Sequence, residues 1–399
     1  STAYLYNDIA LALKDAGYDV VVFTTNPHYN LIENELRNQP LSKRFLGLFY
    51  TSFFYDIRVF HIPQIKSSNS VLRILGFFYW HFISFFLILI EKNVSLILSP
   101  SPPLSVGLLN VLLGKVKKCK TIYNVQEIYP DILIENGKLK SKFIINVLKK
   151  IEKLVYNKSN AITTIDHVFY NTIKNRFYDS SKLQIIPNFV DTDFYKAYDR
   201  DSISLNDDLF PYNSSLKLMY AGNIGYAQDW NTLIDVAKQV SDVNVFFYVI
   251  GEGVMKNWLC LEIEKNKLEN IKVIGYQPRH MMPSLISYSD IQFIFMSKQI
   301  DGFGFPSKVY TIMACERPLL VSSGENTPLV QFLEDKGCAI IVNEDDYIKN
   351  VNIISNSIRS INKIELDTMG KNGHMVVKQN YSKKRVTKLY IDLIDNLLK

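Results

Sequence analysis

Short runs of β-branched and aromatic residues alternate with amphipathic stretches along the whole chain. In the first half the runs are DVVVFTT, IRVFHIP, SLILSP, KTIYNV, AITTI and LQIIP; in the second they are LKLMYAG, NVFFYVIG, IKVIG, IQFIFM, PLLVSS and AIIV. Between them apolar residues recur at i, i+3, i+4 and i+7, as in FIINVLKKIEKLVYNK at 143–158, the spacing of a helix with one buried face. Strand and helix in alternation predict a parallel sheet with helices on both faces. These runs are too many for one comfortable sheet. A cluster of Asp, Asn, Ser and Pro follows Pro187-Asn188-Phe189-Val190-Asp191 and marks the break. The expected fold class is α/β, with two doubly wound, Rossmann-like parallel-sheet domains facing a cleft. Their bounds are 1–187 and 215–380, joined by a linker at 188–214, and a closing helix at 381–399 is free to pack on either.

The most apolar window, VLRILGFFYWHFISFFLILI at 71–90, is long enough to cross a bilayer, but Arg73 and His81 interrupt it and the strand SLILS follows at once. It reads as a buried helix feeding a strand, with a membrane span and an interfacial helix as the other readings. Ahead of it, KRFLGLFYTSFFYDIR mixes aromatic and basic residues, which suits a membrane surface as well as a core. Composition narrows the classes further. The 399 residues are 47% hydrophobic and 21% charged, which excludes disorder and fibrous repeats. A net charge of +6 permits phosphate-bearing or membrane partners but is too dilute for a nucleic-acid footprint. Cys119, Cys260, Cys315 and Cys338 lie far apart, so neither a disulfide scaffold nor a zinc site is expected, and a reducing compartment fits.

Open α/β sheets bind ligands where strands end, and the loops there hold the candidate chemistry. Tyr220-Ala221-Gly222-Asn223-Ile224-Gly225 joins a strand to a helix with two glycines, which lets backbone N–H groups approach a phosphate or simply makes a tight turn. Gly251-Glu252-Gly253 ends the next strand, and Arg279 and His280 lie just past a third. After IQFIFM comes Asp301-Gly302-Phe303-Gly304-Phe305-Pro306-Ser307-Lys308, with Lys308 in the opening turn of an apolar helix. A cation there is unfavourable unless an anion is bound beside it, so this loop points to a phosphate. Glu325 and Asn326 precede another helix and suit either a cap or a sugar hydroxyl. In the first half, Asn124-Val125-Gln126-Glu127-Ile128-Tyr129-Pro130-Asp131 sets an amide and two carboxylates at a strand end, fit for acid–base work, hydroxyl binding or capping.

The order of YAGNIG, GEG, GFGFPSKVYTIMACERPLLV and the joint IPNFVDTDFY resembles retaining glycosyltransferases of the GT-B fold. It is similar to family four of that classification, in the branch building bacterial O-antigen, capsule and colanic-acid-type polysaccharides, N-acetyl-fucosamine transferases included. The resemblance covers essentially the whole chain. It implies transfer of an N-acetylated hexosamine or deoxyhexosamine from a UDP-linked donor to a lipid-diphosphate-linked glycan, with retention and without a metal or other cofactor. It also implies a cytoplasmic location, peripheral on the inner face of the membrane. On the matching positions, Gly222, Asn223 and Gly225 would lie against the diphosphate, with Gly251 and Glu252 in the next donor loop. Lys308 with Ser307 would neutralise the leaving group, Tyr276 and Arg279 would lie near the base, and Glu325 near the ribose or phosphates. Asp301, Gly302 and Gly304 would contact the donor sugar, and Gln126, Glu127 and Asp131 would reach the reacting centre.

The sequence departs from the resembling pattern in four places. The family's paired glutamates are absent in register, with Thr311 and Phe303 in their places. Its common histidine is Gln126, and the usual Arg/Lys pair after the first C-domain loop is missing from GNIGYAQDW. The family opens with a strand and a glycine-rich loop, whereas this chain opens at Ser1 into a helix; the first strand is expected to be missing and the sheet weakened. Without a His–carboxylate pair, the expected mechanism is front-face displacement, the leaving phosphate taking the acceptor proton. A sugar-nucleotide 2-epimerase would act on the donor alone, and a non-catalytic scaffold of a polysaccharide assembly complex would bind nucleotide weakly or not at all.

Overall fold

The computed structural model describes residues 2–26, 39–64, 69–135, 137, 139–199, 203, 205, 208–210, 215–298 and 305–399. The chain divides into two compact units, Ser1–Pro187 with Val386–Lys399, and Asn188–Arg385. Each run of the hydrophobic pattern contains a strand.

The second unit is a six-stranded, wholly parallel sheet. Its strands are β9 (Leu216–Ala221), β10 (Val245–Ile250), β11 (Ile271–Ile274), β12 (Ile291–Phe295), β13 (Leu319–Ser322) and β14 (Ala339–Val342). Their spatial order is β11-β10-β9-β12-β13-β14, so the chain runs outward one way from β9 and then back past it to β12. That reversal leaves the ends of β9 and β12 side by side, the place where such sheets bind ligands. All five residues of β12 are buried, and Phe247, Phe293, Leu233 and Trp230 fill the core beneath the loops. Residues within 188–214 do not form a free linker: Val190 and Phe210 are buried in the cores of this unit.

The first unit holds two sheets where the pattern suggests one. One is parallel, β5 (Leu96–Ser101), β6 (Lys120–Val125), β7 (Ala161–Thr164) and β8 (Leu183–Ile185), in that order. The other runs β1 (Val21–Thr25), β4 (Ile57–Ile62), β3 (Phe49–Phe54), β2 (Ser42–Arg44), with β1 and β4 parallel and the rest antiparallel. The antiparallel strands come from the aromatic and basic stretch before residue 58. Tyr55 and Asp56 both adopt positive φ, the two-residue turn that suits the twist of a hairpin, so β3 folds back onto β4. Hydrophobic pattern alone does not announce such a turn, because neither residue is glycine or asparagine.

The apolar helix Ser70–Ile90 does feed β5, but it is not a buried helix. Leu87 is buried, with Tyr79, Trp80 and Ile83 partly so, against Phe49, Phe60 and Ile62, while only 22% of the 71–90 window is buried. It is the one helix among the described residues long and apolar enough to cross a membrane. The closing helix Lys383–Leu398 sends Tyr390 into the first unit, where its hydroxyl accepts a hydrogen bond from Asn124 at 3.0 Å.

Candidate active site

The loops after β9 and β10 are laced together by backbone. Gly222 N–H donates to Ile250 O at 2.9 Å and Ile224 N–H to Glu252 O at 2.9 Å. Gly222 and Gly251 take φ of +154° and +148°, and a Cβ on Gly251 would stand 1.9 Å from the carbonyl oxygen of Gly222. Only glycine permits this approach. Beneath the loop, the Tyr220 hydroxyl donates to Asn223 O at 2.7 Å and Trp230 Nε1 donates to Gly225 O at 2.9 Å. The turn is therefore rigidly shaped, and its position is set by side chains below it.

Lys308 enters this site from the helix Lys308–Ala314, after β12. The residue as a whole is half-buried, but its Nζ is buried and makes no hydrogen bond among the described residues. It lies 3.4 Å from the centre of the Tyr220 ring, and a Cβ on Gly222 would come within 2.6 Å of it. Burial lowers its pKa from 10.5 to about 7. An ammonium held in low dielectric with only a ring face for company is costly, and an anion at the Gly222 loop would satisfy it.

The neighbouring positions are more open. Glu252 is tied to Lys256 at 2.7 Å, which holds its carboxyl below the usual range, and it also accepts the Tyr276 N–H at 3.4 Å. Tyr276 is exposed, and Arg279 stacks its guanidinium 4.9 Å from the centre of the Phe194 ring. Asn223 and Ser307 are exposed. Glu325 and Asn326 are also exposed, and neither caps the following helix. Thr327 does, accepting Val330 N–H at 3.3 Å, which leaves the Glu325 carboxylate to solvent. Asp301, Gly302 and Gly304 lie outside the described residues.

In the first unit, Gln126 is buried at the end of β6 and donates to Asn124 Oδ1 at 2.8 Å. That oxygen also accepts the Tyr6 hydroxyl at 2.5 Å, while Asn124 Nδ2 donates to Thr163 at 2.8 Å. Glu127 is half-buried, makes no hydrogen bond or ion pair through its carboxylate among the described residues, and burial raises its pKa. Asp131 is engaged by Arg176 at 2.5 Å, and the same guanidinium holds the buried Glu152 at 2.9 Å.

Comparison with known proteins places this arrangement. Residues 4–194 match the model described as Glycosyltransferase Family 4, and residues 205–373 match that described as Glycosyl transferases group 1. The chain is a GT-B glycosyltransferase. It is related to enzymes of bacterial polysaccharide biosynthesis. A protein of Pseudomonas aeruginosa named as the glycosyltransferase WbjE is 19% identical over 82% of this chain and 81% of its own. WcaI of Escherichia coli K12, named for colanic acid biosynthesis and glycosyl transfer, is 23% identical over 58% of each chain. Among solved structures, sucrose-phosphate synthase from Thermosynechococcus elongatus aligns with a TM-score of 0.72 at 13% identity, covering 100% of this chain and 93% of its own. Anabaena HepE, in complex with UDP and glucose, aligns with a TM-score of 0.71 at 13% identity, covering 98% and 95%.

The structure of the transferase adds residues that sequence reading did not single out. Tyr220 was legible only as part of a strand-end run, yet its ring is the floor under Lys308. Glu152 lies on the helix Lys142–Lys158 and Arg176 in the bend after the helix His167–Ile173, with no motif around either, and they change the meaning of Asp131. With its carboxylate committed to Arg176, Asp131 is a structural member of an ion-pair triad. Asp131→Asn is expected to lower stability by about 1–2 kcal/mol while leaving kcat of the transferase within about threefold. Urea unfolding and initial rates check both, and a large rate loss at unchanged stability would return Asp131 to the reaction.

Proposed function

We propose that the transferase moves an N-acetylated hexosamine or deoxyhexosamine from a UDP-linked donor to a lipid-linked glycan, with retention, at the inner face of the bacterial cytoplasmic membrane. The observation that carries the donor half of this reading is the buried, unpartnered Lys308 ammonium beside Gly222, at the reversal point of the sheet. As the glycosyl–phosphate bond breaks, negative charge grows on the leaving diphosphate. A pre-placed cation and fixed N–H groups stabilise that charge without reorganising. Lys308 supplies the cation, Asn223 and Gly225 the backbone N–H groups, and Gly222, whose own N–H is held by Ile250 O, the room for close approach, while Tyr276 and Arg279 lie toward the base. In the first domain, Gln126 and the unpaired Glu127 serve the acceptor. Front-face displacement suits this set, since the leaving phosphate takes the acceptor proton and no histidine base is required. The UDP in the HepE structure supports the choice of base.

Ligand binding to the native state raises its melting temperature. Metal-free thermal-shift measurements against UDP, GDP, dTDP and ADP are expected to show a shift of several degrees with UDP and little with the others. A shift with a different diphosphate would reassign the donor. No shift with any of them would favour a non-catalytic scaffold. Retention is read from the anomeric configuration of the product by NMR.

A further inference from the structure

The first unit carries an apolar surface that the transfer reaction does not use. On the helix Ser70–Ile90, Phe78 is 63% and Phe82 61% exposed, with Val71, Ile74 and Ile90 also exposed. The helix Leu104–Lys117 lies beside it: His81 Nε2 and Ser105 Oγ are 2.9 Å apart, and Lys117 Nζ donates to Leu89 O at 2.9 Å. Its exposed apolar positions are Leu108, Leu112 and Val116, four apart and thus on one stripe. The helix Lys142–Lys158 packs on its other side and exposes Phe143 (77%), Ile144 and Val147. At the opposite margin the hairpin loop presents Phe45 and a fully exposed Leu46, and Tyr79 of the first helix anchors that loop by donating to Leu48 O at 2.6 Å.

An apolar surface of this extent has a partner, and the charges around it say which kind. Lys115, Lys142, Lys149 and Lys150 are exposed among these apolar residues, with Lys43 and Arg44 next to the hairpin loop. The only carboxylate on the three helices is Glu152, and it is buried against Arg176. A positive face with exposed phenylalanines matches an anionic bilayer surface, where lysines meet headgroup phosphates and the rings enter the acyl boundary. We propose that this three-helix face and the Phe45–Leu48 loop dock the protein in the plane of an anionic membrane. Spanning is excluded by the packing of Leu87, Ile83, Tyr79 and Trp80 on the sheet, which keeps one side of the helix in protein. Docking would bring the enzyme to the lipid-linked acceptor of the proposed reaction, and in that respect it rests on that reading. The surface itself stands on its own observations.

The test is flotation of the full chain, without donor or acceptor, with vesicles of phosphatidylcholine alone or with about 30% phosphatidylglycerol. Binding to the anionic vesicles is expected, weakening as salt rises. The triple variant Lys142→Glu, Lys149→Glu, Lys150→Glu is expected to lower the partition coefficient about a hundredfold, at about fivefold per lysine. Phe78→Ser with Phe82→Ser is expected to remove the part that survives high salt. These positions are exposed, and circular dichroism checks that the variants fold. Independently, Phe78→Trp is expected to be quenched by brominated acyl chains in anionic vesicles. Equal binding to neutral vesicles, no binding at all, or a dimer in sedimentation that the same variants disrupt would each overturn the proposal. Vesicle binding with no nucleotide response in the thermal-shift experiment would overturn the proposed reaction instead.

Discussion

Replacing Lys308 with methionine is expected to stabilise the free enzyme while disabling it. The folded chain releases the Lys308 proton near pH 7, whereas the unfolded chain holds it to 10.5. Between those values the unfolded state binds more protons, so stability rises with pH from about 7 to 10.5, and below 7 the full penalty is present. At about 1.4 kcal/mol for each tenfold change in proton affinity, that penalty is on the order of 5 kcal/mol. Lys308→Met keeps the stem and removes the charge. Its melting temperature at pH 6–7 is expected to exceed the parent's by about 5 °C or more, and the rise in stability between about pH 7 and 10.5 to flatten. The same variant loses the group proposed to meet the leaving diphosphate, so kcat is expected to fall about 10²–10³-fold and the thermal shift expected with UDP to vanish. In the parent, diphosphate binding keeps the ammonium charged, so affinity is expected to weaken as pH rises above about 7. Near-normal turnover of Lys308→Met would remove Lys308 from the site.

Gly251→Ala is expected to act on the same site through the backbone. The new methyl carbon would lie 1.9 Å from Gly222 O, at a φ of +148° that L-residues rarely adopt. One of the two loops must move, which breaks the ladder between Ile224 and Glu252 and displaces Gly222 from Lys308. A cost of about 3 kcal/mol or more follows, seen as a melting temperature lower by about 10 °C, together with loss of the UDP response. Gly17→Ala is the control: its φ is +93° but nothing lies within 4 Å, so only the backbone term of about 1 kcal/mol applies. Equal melting temperatures for the two variants would mean that the loop contact is not rigid.

Much of this was readable without coordinates. The alternation of runs located every described strand except β2 and β3, and the family resemblance agrees with the matched models. The placement of a lysine at the start of the helix after IQFIFM, where no cation belongs without an anion, singled out Lys308 from sequence. Other residues were misread for lack of a partner in view. Asp131 looked like half of a carboxylate pair because Arg176 lies 45 positions later. The apolar window at 71–90 looked buried because composition does not say which of its faces meets the sheet. Glu325 stayed open between a cap and a sugar hydroxyl because the choice between it and Thr327 as the cap depends on where the chain turns.

Periodicity, turn chemistry and the order of motifs depend on neighbours a few positions apart, and so they are legible along the chain. The approach of β9 and β12, the ring of Tyr220 under a bare ammonium, the triad around Arg176 and the exposed three-helix face depend on contacts between distant segments. A pKa near 7 for Lys308 comes from desolvation. Desolvation is a property of everything packed around an atom, and so it arises only when distant segments have come together.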